Sequence, residues 1–282
     1  MLTDPQVYTE MNSNLLDRQL DDILRELLAE SDDELFLVNP SREAIESFVD
    51  VATAFEDDRP LVRLLADERT LKDVMDDFIV ASNTADLVDA DVLELRTTES
   101  PPGNSLALTA DAVVALVDAG SQVGGLVSDD DGFVESASDA YQSRWESADE
   151  YNLRTPPITR VRETLSEEIS PEAEDDFSNI LDSLETARGD GDGLDEVTIS
   201  LLVAAKNEAL LYDISKWGED VGIASKATFS RTKTKLEDMG LIDTEKVPID
   251  VGRPRLRLKL GDDRLTDADN GQLATTAQSI LN

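Results

Sequence analysis

The sequence predicts two domains: an α/β sheet domain over about residues 1–150, and a smaller, mainly helical domain over residues 175–262 that ends in a β-hairpin. Short apolar segments alternate with amphipathic helical segments in the first part, which is typical of α/β sheets. Three helical segments followed by two alternating strands make up the second part. A length of 282 residues favours two domains, and 40% hydrophobic residues suffice for two cores.

The expected α/β domain begins with an amphipathic helix over residues 14–30, where leucine and isoleucine recur at helical spacing. Ser41 is the expected N-cap of a helix that runs to Phe55. The Pro-Pro-Gly core of residues 97–104 predicts a loop. The remaining segments are helices at 70–82 and 133–147, and strands at 34–38, 61–65, 92–96, 106–109, 113–117 and 122–126.

Residues 151–174 are predicted to form a linker, because Pro156-Pro157 stiffens its start, although residues 158–169 have the pattern of a short helix. An amphipathic helix is expected over residues 176–187. The Gly-Asp run at 189–193 resembles a fragment of a calcium loop, but the ligand spacing favours an acidic turn. Residues 263–282 are expected to form an acidic and poorly ordered tail.

The amino-acid composition indicates a protein that works in concentrated salt. The chain has 62 acidic and 25 basic residues, for a net charge of −37. Dense carboxylates and scarce lysine are typical of proteins from a salt-rich cytoplasm, where a Debye length of roughly 3 Å near 1 M salt weakens carboxylate repulsion. A merely acidic mesophilic protein is the alternative. The basic residues are concentrated in one segment: seven of the eight lysines lie between residues 206 and 259.

Several functional classes are excluded by residues that the chain lacks. It has no cysteine and no histidine, so disulfides, Cys or His metal sites and imidazole catalysis are ruled out. We therefore expect no cofactor, no metal and no catalytic residue. No apolar run approaches ~18 residues and no signal peptide pattern opens the chain, so a cytoplasmic location is expected.

The pattern over residues 195–260 is that of a winged helix, with helices at 196–209, 213–221 and 226–239. Leu210-Leu211 has the place of a short strand between the first two helices. Ser225 is positioned to cap the third helix, and Gly240 follows its end. The third helix has an apolar stripe that includes Phe229 and Leu236.

The opposite side of the third helix combines short polar side chains with Arg and Lys. Arginine can bind guanine through two hydrogen bonds, serine and threonine fit close to base edges, and lysine neutralises phosphate. A solvated basic face is the alternative, which is out of character in so acidic a chain. The candidate DNA-binding residues here are Ser225, Lys226, Ala227, Ser230, Arg231, Thr234 and Lys235.

A hairpin follows, with strands at 241–247 and 255–260 and a turn at 248–254. Its second strand alternates basic and leucine residues, which predicts one charged and one apolar face. Such a wing can reach the DNA backbone or the minor groove, although a plain edge hairpin has the same pattern. The candidate DNA-binding residues of the wing are Lys246, Arg253, Arg255 and Arg257.

The run SKATFSRTKTKLEDMGLIDTEK, at residues 225–246, resembles the recognition helix and the first wing strand of winged helix-turn-helix regulators. The whole layout resembles haloarchaeal TbsP-type transcriptional regulators. The α/β half is similar to the sensor domain of TrmB-type regulators, which is itself phospholipase D-like. The phospholipase D motif requires histidine, so the resemblance implies a non-catalytic domain here. The domain order also differs, because TrmB-type proteins place their DNA-binding part first, whereas the winged helix comes second here.

The helix at 226–239 and the wing predict a sequence-specific regulator that binds double-stranded promoter DNA. A homodimer is expected because one winged helix buries only a modest interface, which a palindromic site doubles. The resemblance implies control of glucose-responsive central carbon genes of a halophilic archaeon. A small-molecule effector, a sugar or sugar phosphate, is expected near residues 39–41 or the loop at 97–104. One alternative is an adaptor that uses the winged helix for protein contacts. A second is a Mg²⁺-dependent enzyme with ligands among Asp67, Glu68, Asp86 and Asp129–Asp131, although such clusters arise from composition alone.

Overall fold

The computed structural model describes residues 14–118, 120, 123–184, 186–188, 194–248, 254–268 and 272–281, with only the main chain at 14–18. These residues form two compact units. The first consists of the described residues up to Val74 together with Leu87–Asn152, and the second consists of Met75–Asp86 and the described residues from Leu153 onward.

The first unit contains one mixed sheet. In the described part of the chain it has eight strands in the order β1-β7-β6-β5-β2-β3-β4-β8, of which β2, β3 and β4 are parallel. The strands are β1 Asn14–Arg18, β2 Glu34–Val38, β3 Leu61–Ala66, β4 Leu93–Thr97, β5 Ser105–Leu108, β6 Val113–Asp118, β7 Val123–Ser128 and β8 Asp149–Glu150. The helices are α1 Leu20–Glu30, α2 Arg42–Thr53, α3 Glu68–Met75 and α5 Asp131–Ser147, with α4 Phe78–Asp89 shared with the second unit.

Strand β2 lies at the centre of this sheet and is buried on both faces, as its continuous apolar run predicts. On one face, Phe36 and Val38 pack with Val134 and Trp145 of α5. The Phe36 and Trp145 rings meet edge to face, with 5.4 Å between centroids. The Arg96 guanidinium lies 4.8 Å from the Trp145 ring centroid, which closes this core at β4.

Two of the helices that the sequence predicts in this half differ in the structure. The predicted helix at 14–30 begins only at Leu20, because residues 14–18 form β1, which pairs antiparallel with β7 at the sheet edge. The predicted helix at 70–82 is two helices, α3 and α4. Asp77 accounts for the break, since its carboxylate accepts hydrogen bonds from the N–H groups of Ile79 (3.0 Å) and Ala187 (3.3 Å).

The second unit is mainly helical. Its further elements are α6 Ile158–Glu168, α7 Pro171–Asp182, α8 Glu196–Lys206, α9 Leu211–Val221, α10 Lys226–Asp238, β9 Ile242–Val247, β10 Arg255–Leu260, α11 Asp263–Thr266 and α12 Leu273–Leu281. The core contains Phe177 of α7, Leu202 of α8, Trp217 of α9, Phe229 of α10 and Leu258 of β10, each 0–1% exposed. Helices α8, α9 and α10 with the β9–β10 hairpin form the winged helix that the sequence predicts.

Segments predicted to lie outside this domain belong to its core. Within residues 151–174, predicted as a linker, Ile158, Val161 and Leu165 are buried on the inner face of α6. The tail at 263–282 forms α11 and α12, with Leu273 and Ala277 fully buried. Ser170 caps α7 by accepting from the Ala173 N–H at 3.1 Å, so this helix begins five residues before its predicted start. The predicted acidic turn at 189–193 lies outside the described residues.

Helix α4 is an unexpected member of the second unit. The Phe78 ring packs edge to face on Phe177, with 6.4 Å between centroids. Ser82 Oγ donates to the Pro156 carbonyl at 2.6 Å. The Asp86 carboxylate accepts from the backbone N–H of Thr159 at 3.2 Å, in the first turn of α6. A helix from the first half of the sequence therefore completes the core of the winged helix unit.

We predict that Phe78→Ala destabilises the winged helix unit by about 3 kcal/mol or more, because it removes a buried ring and leaves a cavity. The chain has two tryptophans, one in each unit, so Trp217 fluorescence in a Trp145→Phe background follows the unfolding of the second unit alone. Phe133→Ala is the matched control, because the Phe133 side chain is 52% exposed. Equal denaturation midpoints for the two variants contradict the assignment of α4 to this core.

A second prediction concerns Glu196, which lines a cavity of about 220 Å³ together with Arg154 and Asp76. Burial raises the pKa of Glu196 to about 6, and the charges of Asp195 and Asp76 add to this. The folded state thus binds this proton more tightly than the unfolded state, and stability is lost as the pH rises from about 4.5 to about 6. Glu196→Gln should raise the unfolding free energy by about 1–2 kcal/mol at pH 7 and leave it nearly unchanged at pH 4. A denaturation series across this pH range that shows a constant difference contradicts the prediction.

Candidate nucleic-acid interface

The turn before α10 sets the direction of the third helix. Gly222 ends α9 in a left-handed conformation, with φ +102°, which glycine adopts at little cost. The N–H groups of Ile223 and Ala224 donate back to the Gly218 carbonyl at 2.8 and 3.2 Å. Ser225 then caps α10 by accepting from the Thr228 N–H at 3.2 Å, as the sequence predicts.

The rotation of α10 about its own axis is fixed by contact with α9. The Phe229 ring lies directly against Gly218, where an added Cβ atom would approach its ring carbons to 2.3 Å. Phe229 is fully buried and Leu236, two turns later, is 1% exposed. These two side chains turn the same face of α10 toward the core.

Five predicted site residues lie on the outward face of α10, together with the exposed Asp238 in its last turn. All five are exposed: Ala227, Ser230, Arg231, Thr234 and Lys235. Arg231 donates to the Ala227 carbonyl and to Thr228 Oγ1, both at 3.3 Å, and has no ion pair with any described residue. Lys235 is likewise without an ionic partner among them. The outward face therefore presents two cations that form no ion pair with the described residues, among short side chains and Asp238.

The wing hairpin distributes its predicted site residues over two faces. Strands β9 and β10 pair antiparallel, with Lys246 opposite Leu256, Arg257 opposite Glu245 and Leu258 opposite Thr244. Leu258 is buried in the core, so Lys246 and Thr244 share the inner face, and Thr244 Oγ1 donates to Glu237 of α10 at 2.7 Å. The structure therefore places Lys246 on the face of the hairpin that is turned toward α10. Residues 249–253, including the predicted Arg253, lie outside the described residues.

Arg255 and Arg257 lie on the outer face of the hairpin, each beside a carboxylate. Arg255 Nη1 lies 3.1 Å from Asp213 Oδ1, and Arg257 Nη1 lies 3.9 Å from Glu208 Oε2. The Arg255 guanidinium also stacks over the ring of Tyr212 at 4.2 Å. These two arginines therefore lie on the opposite face of the hairpin from Lys246.

The N-terminus of α10 carries a third ion pair. Glu219 of α9 accepts from the Lys226 ammonium group at 2.5 Å and from the Lys226 backbone N–H at 3.3 Å. The hydrogen bond from Lys226 lowers the pKa of Glu219, and the same bond raises the pKa of Lys226. Glu219 therefore stays ionised to a lower pH, and Lys226 to a higher pH, than either would without the other.

Sequence reasoning missed the carboxylates and the aromatic residue of this surface. Tyr212 is 49% exposed, and Asp213, Glu219 and Asp220 pair with basic neighbours. A signal was present, because Tyr212, Lys216 and Glu219 recur at the spacing of one helix face.

The two segments predicted to border an effector site are joined by a hydrogen bond. Asn39, with φ +48°, donates from Nδ2 to the Pro102 carbonyl at 2.7 Å, which joins residues 39–41 to the loop at 97–104. Ser41 Oγ accepts from the Ala44 N–H at 3.2 Å and serves as a helix cap. A cavity of about 440 Å³ opens instead at the opposite end of β2, beside Glu34, Asp111 and Tyr141.

Three of the acidic residues named as possible Mg²⁺ ligands form hydrogen bonds at the starts of separate helices. Asp67 accepts from the Thr70 N–H at 2.9 Å, Asp130 caps α5 by accepting from the Phe133 N–H at 2.9 Å, and Asp86 bonds to Thr159. No cluster of three or more possible metal ligands occurs in the described ranges. Nor is any helix in the part of the chain that the structure describes long and apolar enough to span a membrane.

Comparison with solved structures finds TrmBL2, an archaeal chromatin protein, at 15% identity and a TM-score of 0.35, with 52% of this chain covered. The aligned part spans 57% of the TrmBL2 chain. NucT from Helicobacter pylori matches at 13% identity and a TM-score of 0.34, over 50% of this chain and 99% of that one. No curated protein matches the sequence.

Two family models match nearly the whole chain. Residues 12–156 match the TbsP-like transcriptional regulator N-terminal domain, and residues 157–278 match the TbsP-like C-terminal helix-turn-helix domain. The second match contains α8, α9, α10 and the wing, whose geometry is described above. The chain therefore belongs to the TbsP-like transcriptional regulators, with an α/β N-terminal domain and a C-terminal helix-turn-helix domain.

Proposed function

We propose that the protein binds specific promoter sequences by placing α10 in the major groove of double-stranded DNA. The observation that carries this proposal is the outward stripe of α10, where Arg231 and Lys235 are exposed among Ala227, Ser230 and Thr234 and form no ion pair with any described residue. Small side chains allow a helix to approach the bases closely, and arginine can bind guanine through two hydrogen bonds. In a chain with a net charge of −37, a solvated face would be expected to be acidic.

The wing supplements this contact. Lys246 shares the inner face of the hairpin with Thr244, next to α10, so its ammonium group is suited to a backbone phosphate beside the groove. Arg253, which stands between β9 and β10 in the sequence, is proposed as a further contact to the DNA backbone or the minor groove.

We further propose a homodimer, because one winged helix makes a modest interface and two of them double it on a palindromic site. The α/β domain is then the dimerisation or sensor domain, with a sugar or sugar phosphate as effector. Control of glucose-responsive central carbon genes in a halophilic archaeon is what the TbsP-type resemblance implies. The carboxylates at the 440 Å³ cavity, such as Glu34 and Asp111, favour a neutral sugar over a phosphorylated one.

The double substitution Arg231→Ala, Lys235→Ala should weaken promoter binding roughly 100-fold or more, because each lost base or phosphate contact costs about 1–3 kcal/mol. The measurement is fluorescence anisotropy on a promoter duplex identified by chromatin immunoprecipitation with and without glucose.

The matched control is Arg69→Ala, Lys72→Ala, which removes the same charge from the exposed face of α3. It should leave the affinity within about twofold of the wild type, since surface substitutions outside an interface have small effects. Unaltered affinity in the α10 variant contradicts the proposal. Capture of a protein partner by a wild-type chain that binds no promoter would instead favour the adaptor function.

A further inference from the structure

The six described basic residues that are candidates for DNA contact fall into two equal groups. Arg231, Lys235 and Lys246 form no ion pair with the described residues. The other three each have one carboxylate partner: Lys226 with Glu219, Arg255 with Asp213 and Arg257 with Glu208. All three pairs lie at the surface of the winged helix, with side chains 37–59% exposed.

We propose that these paired carboxylates act as built-in counterions, which exchange their basic partner for a monovalent cation from solution when DNA binds. The proposal rests on the DNA-binding function proposed above. It assigns a binding role to Glu219, Asp213 and Glu208, and their ligand in the complex is the dominant solution cation, K⁺ or Na⁺.

The two groups of basic residues then differ in their ion balance. A free cation that neutralises a phosphate releases one condensed counterion, and each such contact adds about −0.9 to the slope of log K against log[salt]. A paired cation also releases that counterion, but its abandoned carboxylate gains a cation from solution. Release and uptake nearly cancel, so a paired cation contributes almost nothing to the slope.

The geometry of the Lys226 pair suits such an exchange. Glu219 is held in place by its second hydrogen bond, from the Lys226 backbone N–H, so the carboxylate remains at the start of α10 when the ammonium group moves to a phosphate. Its side chain is 43% exposed, which leaves the freed oxygen open to a solvated cation. Asp213 is similarly exposed at 42%, beside an Arg255 guanidinium that the Tyr212 ring supports.

The exchange has a measurable consequence for salt dependence. If all seven candidate basic residues, including Arg253, released counterions, the slope would be about −6 for each bound protomer. If only the unpaired ones do, the slope lies between about −3 and −4, according to whether Arg253 contributes. Binding would then persist in concentrated salt, which the acidic composition of the chain indicates as its solvent.

The test is a KCl titration of promoter-duplex affinity with the full-length chain and single substitutions. Glu219→Gln and Asp213→Asn should each steepen the slope by about 0.9, because a cation is then released without compensation. Arg231→Gln should flatten it by about 0.9, whereas Lys226→Gln should leave it at the wild-type value. Glutamine at 219 keeps an acceptor for the Lys226 N–H, so the helix start is retained.

Glu68→Gln is the matched control, since Glu68 pairs with Lys72 in α3 of the first unit and its removal should not change the slope. Equal flattening by Lys226→Gln and Arg231→Gln, with Glu219→Gln unchanged, overturns the exchange while leaving DNA binding intact. A wild-type chain that binds no promoter duplex at any KCl concentration contradicts the proposed function and the exchange together.

Discussion

The contact between Phe229 and Gly218 determines which residues the recognition helix shows to its surroundings. Because Gly218 has no side chain, the Phe229 ring seats directly on α9, where a Cβ atom would approach the ring to 2.3 Å. This contact, with Leu236 buried two turns later, fixes the rotation of α10 and leaves Ser230, Arg231 and Thr234 outward. Which side chains α10 exposes thus depends on Gly218, which packs against the buried face of that helix.

Charge is the second constraint, and it acts against nucleic-acid binding. A chain with a net charge of −37 repels DNA at long range unless salt screens it, but salt also removes the gain from counterion release. The proposed counterion exchange reconciles these demands, because half of the described candidate cations have carboxylate partners. On that proposal, these carboxylates keep the surface hydrated in the free protein, and specificity depends on the contacts that α10 makes with bases.

Local patterns predicted the parts of the fold in which local and tertiary preferences agree. The buried run of β2, the Ser41 and Ser225 caps and the apolar stripe of α10 are examples, because each is specified by neighbours in sequence. Residues 14–18 resembled a helix, but pairing with β7 overrode helical spacing. Membership of α4 in the second core depends on contacts such as Phe78 with Phe177, about 100 residues apart, which no local pattern contains. The sequence did not predict the ion pair of Arg255 with Asp213 for the same reason, since these two residues meet only through the fold.

The absence of cysteine from the chain permits a direct test of where DNA lies. An iron chelate attached to a single cysteine at position 230 cleaves the DNA strands nearest to it, so the cleavage sites on the promoter duplex report where α10 lies. The account predicts cleavage confined to the operator and centred on the major groove that α10 enters. A cysteine in place of the exposed Ser136 of α5 serves as the reference and should give no cleavage localised at the operator. Cleavage from position 230 that is diffuse, or identical to that from position 136, contradicts recognition through α10.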